Sequence, residues 1–406
     1  MTPKDPQALL GRLLDPANRA DPYPVYAQFR DAGPLVAPQS NLVVFSTFAD
    51  CDEVLRHPSS ASDRLKSTVA QREIARGAAA RPFGAPGFLF LDPPDHTRLR
   101  KLVSKAFVPK VVKALEPDIV ALVDGLLDEV AARGDFEVIA DLAYPLPVAV
   151  ICRLLGVPLA DEPEFSRASA LSAQSLDPFV TVTGQAAEGV EDRMQAGLWL
   201  RSYLRGLVAE RRAAPRADLI SGLIAAEEAG DQLTEDEIVA TCHLLLVAGH
   251  ETTVNLIANA ILAMLRDRGQ WAALAADPAR VSLVAEETLR YDPPVQLVGR
   301  IAADEMEIGG TRIPKGDNIL LLTAAAHRDA AVFDRADVFD PDRAQIRHLG
   351  FGKGPHFCLG APLARLEAAV ALTALTRRFP TAEPAGEPVY KPNLTLRGME
   401  SLPVAI

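Results

Sequence analysis

Phe351-Gly352-Lys353-Gly354-Pro355-His356-Phe357-Cys358-Leu359-Gly360 runs directly into Ala361-Pro362-Leu363-Ala364-Arg365-Leu366-Glu367, where apolar residues take up helical spacing. A thiol therefore stands at the start of a helix. Free N–H groups and the positive end of the helix dipole favour its thiolate, the form that ligates metal. Gly352, Gly354 and Gly360 let the backbone pass close to a flat cofactor and aim N–H groups at the sulfur. A lone cysteine beside a glycine-rich turn is more often an inert, buried one, so the rest of the chain has to decide.

Upstream lies the longest apolar run, residues 238–265, interrupted by His243, His250, Glu251, Asn255 and Asn259. A lipid-facing helix tolerates such groups poorly, so the run reads as a buried core helix. Thr234-Glu235-Asp236-Glu237 forms a capping box at its start. A helix of roughly 30 residues spans about 45 Å, enough to cross the molecule. In its middle, Ala248-Gly249-His250-Glu251-Thr252-Thr253 breaks the apolar pattern. Burying such groups unpaired costs about 1–3 kcal/mol each, so they need partners or a task. A local kink, with Thr252 bonding back to a carbonyl four residues earlier, is compatible with either.

Two shorter segments carry paired charges. Glu287 and Arg290 share a helical face just before the stop at Asp292-Pro293-Pro294. In Asp92-Pro93-Pro94-Asp95-His96-Thr97-Arg98-Leu99-Arg100, the i, i+4 spacing puts His96 and Arg100 on one face, suited to carboxylates. Such pairs are common on solvated surfaces, and neither is decisive alone.

Elsewhere, helical spacing recurs at residues 96–107, 111–132, 145–155, 187–212, 278–291 and 361–379. Leu42-Val43-Val44-Phe45 reads as a buried strand, and strand-like stretches return at residues 296–322 and 394–406. The fold class is mainly α with small β-sheets. With 406 residues and no spacer-like stretch, one large domain over residues 1–406 is expected, with a β-containing N-terminal lobe and a helix-rich main lobe. A formal charge of -11 argues against nucleic acid as partner. Cys51, Cys152, Cys242 and Cys358 lie far apart, with neither zinc spacing nor a disulfide framework, which suits a reducing cytoplasm. The N-terminus shows no signal-peptide pattern, so a soluble protein with no membrane association is expected.

The cysteine loop resembles the ligand signature of cytochromes P450, with Phe351, Gly352, Gly354, His356, Cys358 and Gly360 in the family's positions. The resemblance extends from Asp21-Pro22-Tyr23-Pro24 to the last strand-like residues. It implies the cytochrome P450 fold, a triangular prism with haem between the long distal helix and the helix after the cysteine loop. The cofactor implied is haem b (iron protoporphyrin IX), with Cys358 as metal ligand. Thiolate ligation pushes electron density into the iron and favours O–O cleavage. Matching positions make His96, Arg100, Arg300 and His356 the partners of the haem propionates, and Phe351 and Gly360 further cofactor contacts. Ala248 and Gly249 would leave room for O2, while Glu251 and Thr252 would manage proton delivery. Glu287, Arg290 and Arg343 would form a structural ion-pair network bracing the loop.

The activity implied is insertion of one atom of O2 into a mostly apolar organic substrate, by default a hydroxylation. Candidate substrates are fatty acids, macrolides or polyketides, terpenoids or steroids, and drug-like compounds. By the same resemblance Phe179, Leu244, Val247, Val295, Gln296, Leu297 and Met399 line the pocket. Electrons would come from NAD(P)H through a separate ferredoxin and ferredoxin reductase, with Lys101, Lys105, Lys110, Lys113, Lys353 and Arg365 around the docking face. A monomer is expected. A peroxide-driven hydroxylase and a haem gas sensor are the rival readings, and neither needs the acid and alcohol at Glu251 and Thr252.

Overall fold

The computed structural model describes residues 5–81, 84–178, 182, 189–228 and 233–406. Helices dominate, and the longest, Glu235–Arg266, organises the rest. Its first turn is closed by the capping box: the Thr234 hydroxyl accepts from the Glu237 N–H while the Glu237 side chain accepts from the Thr234 N–H. The helix is long and apolar enough to cross a membrane by composition. It lies instead in the largest core cluster, packed by Pro145–Leu155, Val190–Ala213, Val281–Tyr291 and Ala361–Arg378.

The segment at 111–132 differs from the single helix expected. It divides into Pro109–Ala114 and Glu116–Arg133. Pro117 has no N–H to donate and its ring clashes with the preceding turn, so it fits only near a helix start. Likewise 278–291 opens as a 3-10 turn, Pro278–Arg280, before Val281–Tyr291 becomes α-helical. Helices at Phe48–Arg56, Glu162–Gln174 and Leu219–Glu228 join those expected.

One five-stranded sheet runs in the order Leu35–Ala37, Leu42–Phe45, Asn318–Leu321, Val298–Ala302, Ser60–Ala61. Leu42–Phe45 pairs in parallel with Asn318–Leu321, Val43 facing Ile319, and all four of its residues are buried. Burial on both faces explains why it is uniformly apolar rather than alternating. Val298–Ala302 carries Arg300 to the wall of the central cavity. Towards the C-terminus, Val389–Tyr390 pairs with Met399–Ser401, and that hairpin reaches the long helix through Lys391.

Candidate active site

Cys358 sits between the short turn Gly354–His356 and the helix Ala361–Arg378. The loop is closed by its own backbone: the Cys358 N–H donates to Phe351 O at 2.8 Å, and the Gly352 N–H to Leu349 O at 2.8 Å. Gly354 has φ +66, and a Cβ there would stand 2.7 Å from the Leu55 carbonyl oxygen, so both conformation and space demand glycine. The backbone N–H groups of Gly360 and Ala361, at the helix start, favour the thiolate. Burial pushes the Cys358 thiol up, while those two N–H groups and the Arg100 and Arg365 guanidiniums pull it back. Burial wins in this balance, so the helix start alone does not ionise the sulfur; a coordinated cation would.

A cavity of about 710 Å³ opens beside the loop. Cys358, Gly360, Phe351, His356, Arg100, Arg300, Ala248, Gly249 and Thr252 all lie on its wall. His96 stands just behind, its ring centroid 4.1 Å from that of His356, and neither ring nitrogen of His96 has a hydrogen-bond partner. Arg300 is buried and donates to the neighbouring Gly299 carbonyl. Burial brings its pKa down to about 10, with Asp92 opposing. His356 falls to about 3, through burial first and then through Arg300 and His96. Asp92 is the carboxylate this group feels among the described residues, and it is engaged by Lys66 at 2.7 Å and by the Ser62 and Asp63 N–H groups.

Two histidines and two arginines converge, with both ring nitrogens of His96 unpartnered and the Asp92 carboxylate already engaged by Lys66, an arrangement that matches a ligand bringing two carboxylates. At Gly360 no protein atom lies within 4 Å of where a Cβ would stand, which leaves the surface beside the sulfur bare. The residues present fit haem, and Cys358 would be the iron ligand.

On the long helix, Thr252 faces the cavity and its hydroxyl donates back to Ala248 O at 2.8 Å. Glu251 does not reach the cavity wall. Its carboxylate is buried and pairs with Lys391 Nζ at 2.7 Å. Gly249 lines the cavity, but its size also serves helix packing, since a Cβ there would meet Ile151 Cδ1 at 2.9 Å.

Leu244, Val247, Val295 and Leu297 line the cavity. Gln296 and Met399 do not, which corrects the expectation for both. Neighbouring residues of an extended chain point to opposite sides, so with Val295 and Leu297 facing in, Gln296 turns away and donates to Pro293 O at 2.7 Å. Met399 is fully buried in the main core cluster, and Thr395 and Leu396 reach the cavity from that segment instead. Phe179 lies outside the described residues.

Glu287 and Arg290 are fully buried and pair at 2.7 Å, and Arg343 joins Glu287 at 3.0 Å. Arg290 also donates to the carbonyls of His327, Ala336 and Val338, so the network ties the Val281–Tyr291 helix to the segment preceding the cysteine loop. Arg365 is held by Glu286 and lies over the Phe351 ring at 4.6 Å, a bracing contact rather than a free surface charge. Sequence reasoning passed over Glu367, which lines the cavity, is buried with Oε2 unpartnered, and is pushed up to about 8 by burial. Its spacing from Leu363 and Ala371 put it on the buried helix face and was readable. Lys391, 140 positions from Glu251, gave no such signal.

The family model described as Cytochrome P450 matches residues 39–277 and 281–403. The crystal structure of Mycobacterium smegmatis CYP164A2 in the ligand-free state is 66% identical, covers 98% of this chain and 100% of its own, and superposes with a TM-score of 0.94. Myxobacterial CYP267B1, solved in complex with myristic acid, is 39% identical over 97% of this chain and 98% of its own, with a TM-score of 0.86. Vitamin D(3) 25-hydroxylase of Pseudonocardia autotrophica is 38% identical over 394 residues, 95% of this chain and 94% of its own. The thiol-bearing loop, the donors gathered for two carboxylates and the match along nearly the full length agree, and the chain belongs to the cytochrome P450 family, the haem-iron monooxygenases.

Proposed function

We propose that this monooxygenase hydroxylates a mostly apolar small organic substrate, with electrons delivered by a ferredoxin and its reductase. One observation carries the reading: a single cavity with largely apolar walls holds Cys358 and the Thr252 hydroxyl together. Haem b, when bound, supplies iron on which O2 is activated by electrons derived from NAD(P)H. His96, Arg100, Arg300 and His356 would hold its propionates. The remaining tasks belong to the chain.

Leu244, Val247, Val295 and Leu297 exclude water and orient the substrate by shape. Thr252 keeps a hydroxyl at the cavity wall that can pass a proton, its oxygen fixed by Ala248 O. Glu251 is the acid one residue away, and proton supply from it requires its ion pair with Lys391 to loosen or a water to bridge. The similarity to a vitamin D(3) 25-hydroxylase and to a structure holding myristic acid supports hydroxylation of an apolar substrate. For the electron donor, Lys101, Lys105, Lys110 and Lys113 are exposed on two helices and the 3-10 turn Lys105–Phe107 between them, beside the cysteine loop. Arg100, from the first of these helices, donates to the Phe357 carbonyl.

The test is product formation from a panel of fatty acids, steroids, macrolides and drug-like compounds. NAD(P)H with ferredoxin and ferredoxin reductase is compared with peroxide alone. Hydroxylated product that requires the redox chain is expected. Faster turnover with peroxide, or haem that binds gas without oxidising any compound, contradicts the proposal.

A further inference from the structure

Arg64 stands on the wall of the same cavity, in the 3-10 turn Arg64–Lys66. Its guanidinium lies over the Phe90 ring at 4.6 Å, and among the described residues no carboxylate pairs with it. Although the side chain is accessible, burial alone lowers its pKa, with no charged neighbour contributing. Part of its accessible surface faces the cavity.

A guanidinium does not shed its proton, and an aromatic face offers no acceptor for its five N–H donors. Isolated charge in apolar surroundings is unfavourable unless an anion faces it. The acidic groups around it in sequence are engaged: Asp63 accepts from the Leu65 N–H, Asp92 binds Lys66 at 2.7 Å, and Glu73 pairs with Arg76 at 2.6 Å. Among the described residues no carboxylate pairs with Arg64, and an anion brought by a ligand would suit it.

Two ligands could bring a carboxylate, the cofactor or the substrate. The four groups that fit the propionates act on one another: His356 feels Arg300, His96 and Arg100, and His96 feels Arg100. Arg64 bears on none of them and feels none. It stands apart from that cluster electrically. Two positions away, Ser62 also lines the cavity, and its buried hydroxyl has no partner.

We propose that Arg64, assisted by Ser62, is an anion anchor for the substrate and takes the carboxylate of a fatty acid whose chain lies along Phe90, Leu244, Val295 and Leu297. This deepens the monooxygenase reading and rests on it. An arginine–carboxylate bond fixes one end of an otherwise featureless chain, and so selects which carbon lies nearest the Cys358 side of the cavity.

The experiment titrates the holoenzyme with dodecanoic acid and with methyl dodecanoate, by haem absorbance and by calorimetry, in the natural sequence, Arg64→Gln and Arg64→Lys. The natural protein should bind the acid roughly tenfold or more tightly than the ester. Arg64→Gln should lose about that factor for the acid and leave the ester unchanged, and Arg64→Lys should keep part of the preference. A natural protein without preference for the acid, or an unchanged acid-to-ester ratio in Arg64→Gln, overturns the anchor. So does Arg64→Gln that carries less haem per chain at an unchanged ratio, because Arg64 then serves the cofactor. Calorimetry reads the preference whether or not the reduced protein shows a thiolate-type carbon monoxide band, so failure of the anchor and failure of the monooxygenase reading remain distinguishable.

Discussion

Glu251 and Thr252 are adjacent in the chain yet face different surroundings, the alcohol on the cavity and the acid against Lys391. Thr252→Ala should retain haem and substrate binding but divert electrons into hydrogen peroxide, read as product formed per NAD(P)H consumed. Unchanged coupling would remove Thr252 from proton delivery. His243 shows a different kind of residue effect, its pKa brought down to about 4 by burial and then by Arg201. Unfolded, a histidine titrates near 6.5, so between about pH 6.5 and 4 the unfolded chain binds a proton that the folded one refuses. Stability is full above that window and falls with pH inside it, by about 1 kcal/mol at pH 5.5. The thermal midpoint of the holoenzyme should drop on acidification, and His243→Gln should flatten part of that drop. The cysteine loop and Thr252 were legible because each is a local pattern. The Glu251–Lys391 pair was not, because it depends on how a C-terminal hairpin docks. Gln296 was misplaced because the resemblance assigned the whole stretch 295–297 to the pocket, whereas an extended chain alternates and turns Gln296 away.

At the scale of elements, the loop is braced from behind. Glu287 receives Arg290, Arg343 and the Asp340 N–H, all within 3.0 Å. Glu287→Gln would leave two arginine charges without their carboxylate in a buried place, a change that typically costs about 3–5 kcal/mol. Denaturant unfolding of the holoenzyme should show that loss, and haem should be released at lower denaturant than in the natural protein. The long helix was readable because its capping box and apolar length agree. The division at Leu115 required weighing Pro117 against an otherwise continuous helical pattern. Phe48–Arg56 escaped because nine residues give only about two and a half turns of periodicity, though its Thr47 cap was present in the sequence.

For the whole molecule, an acidic chain with a formal charge of -11 places exposed lysines beside the cysteine loop. Phe357 is 42% exposed there, an apolar contact within a basic surround. Lys105→Glu with Lys113→Glu should raise the KM for ferredoxin about tenfold and weaken its salt dependence, while peroxide-supported turnover stays unchanged. An unchanged KM would place the donor on another face. Fold class followed from periodicity, yet the joining of distant segments at one cavity, His96 against His356 and Arg64 over Phe90, is a product of the tertiary fold.

The proposed ligand of the haem iron is the Cys358 sulfur. The most direct measurement is the carbon monoxide difference spectrum of the reduced, purified protein beside that of Cys358→Ser. A thiolate-type band in the natural protein that is absent from the serine variant is expected. A variant that keeps the band, or a natural protein that purifies colourless from iron-replete cells, contradicts the account.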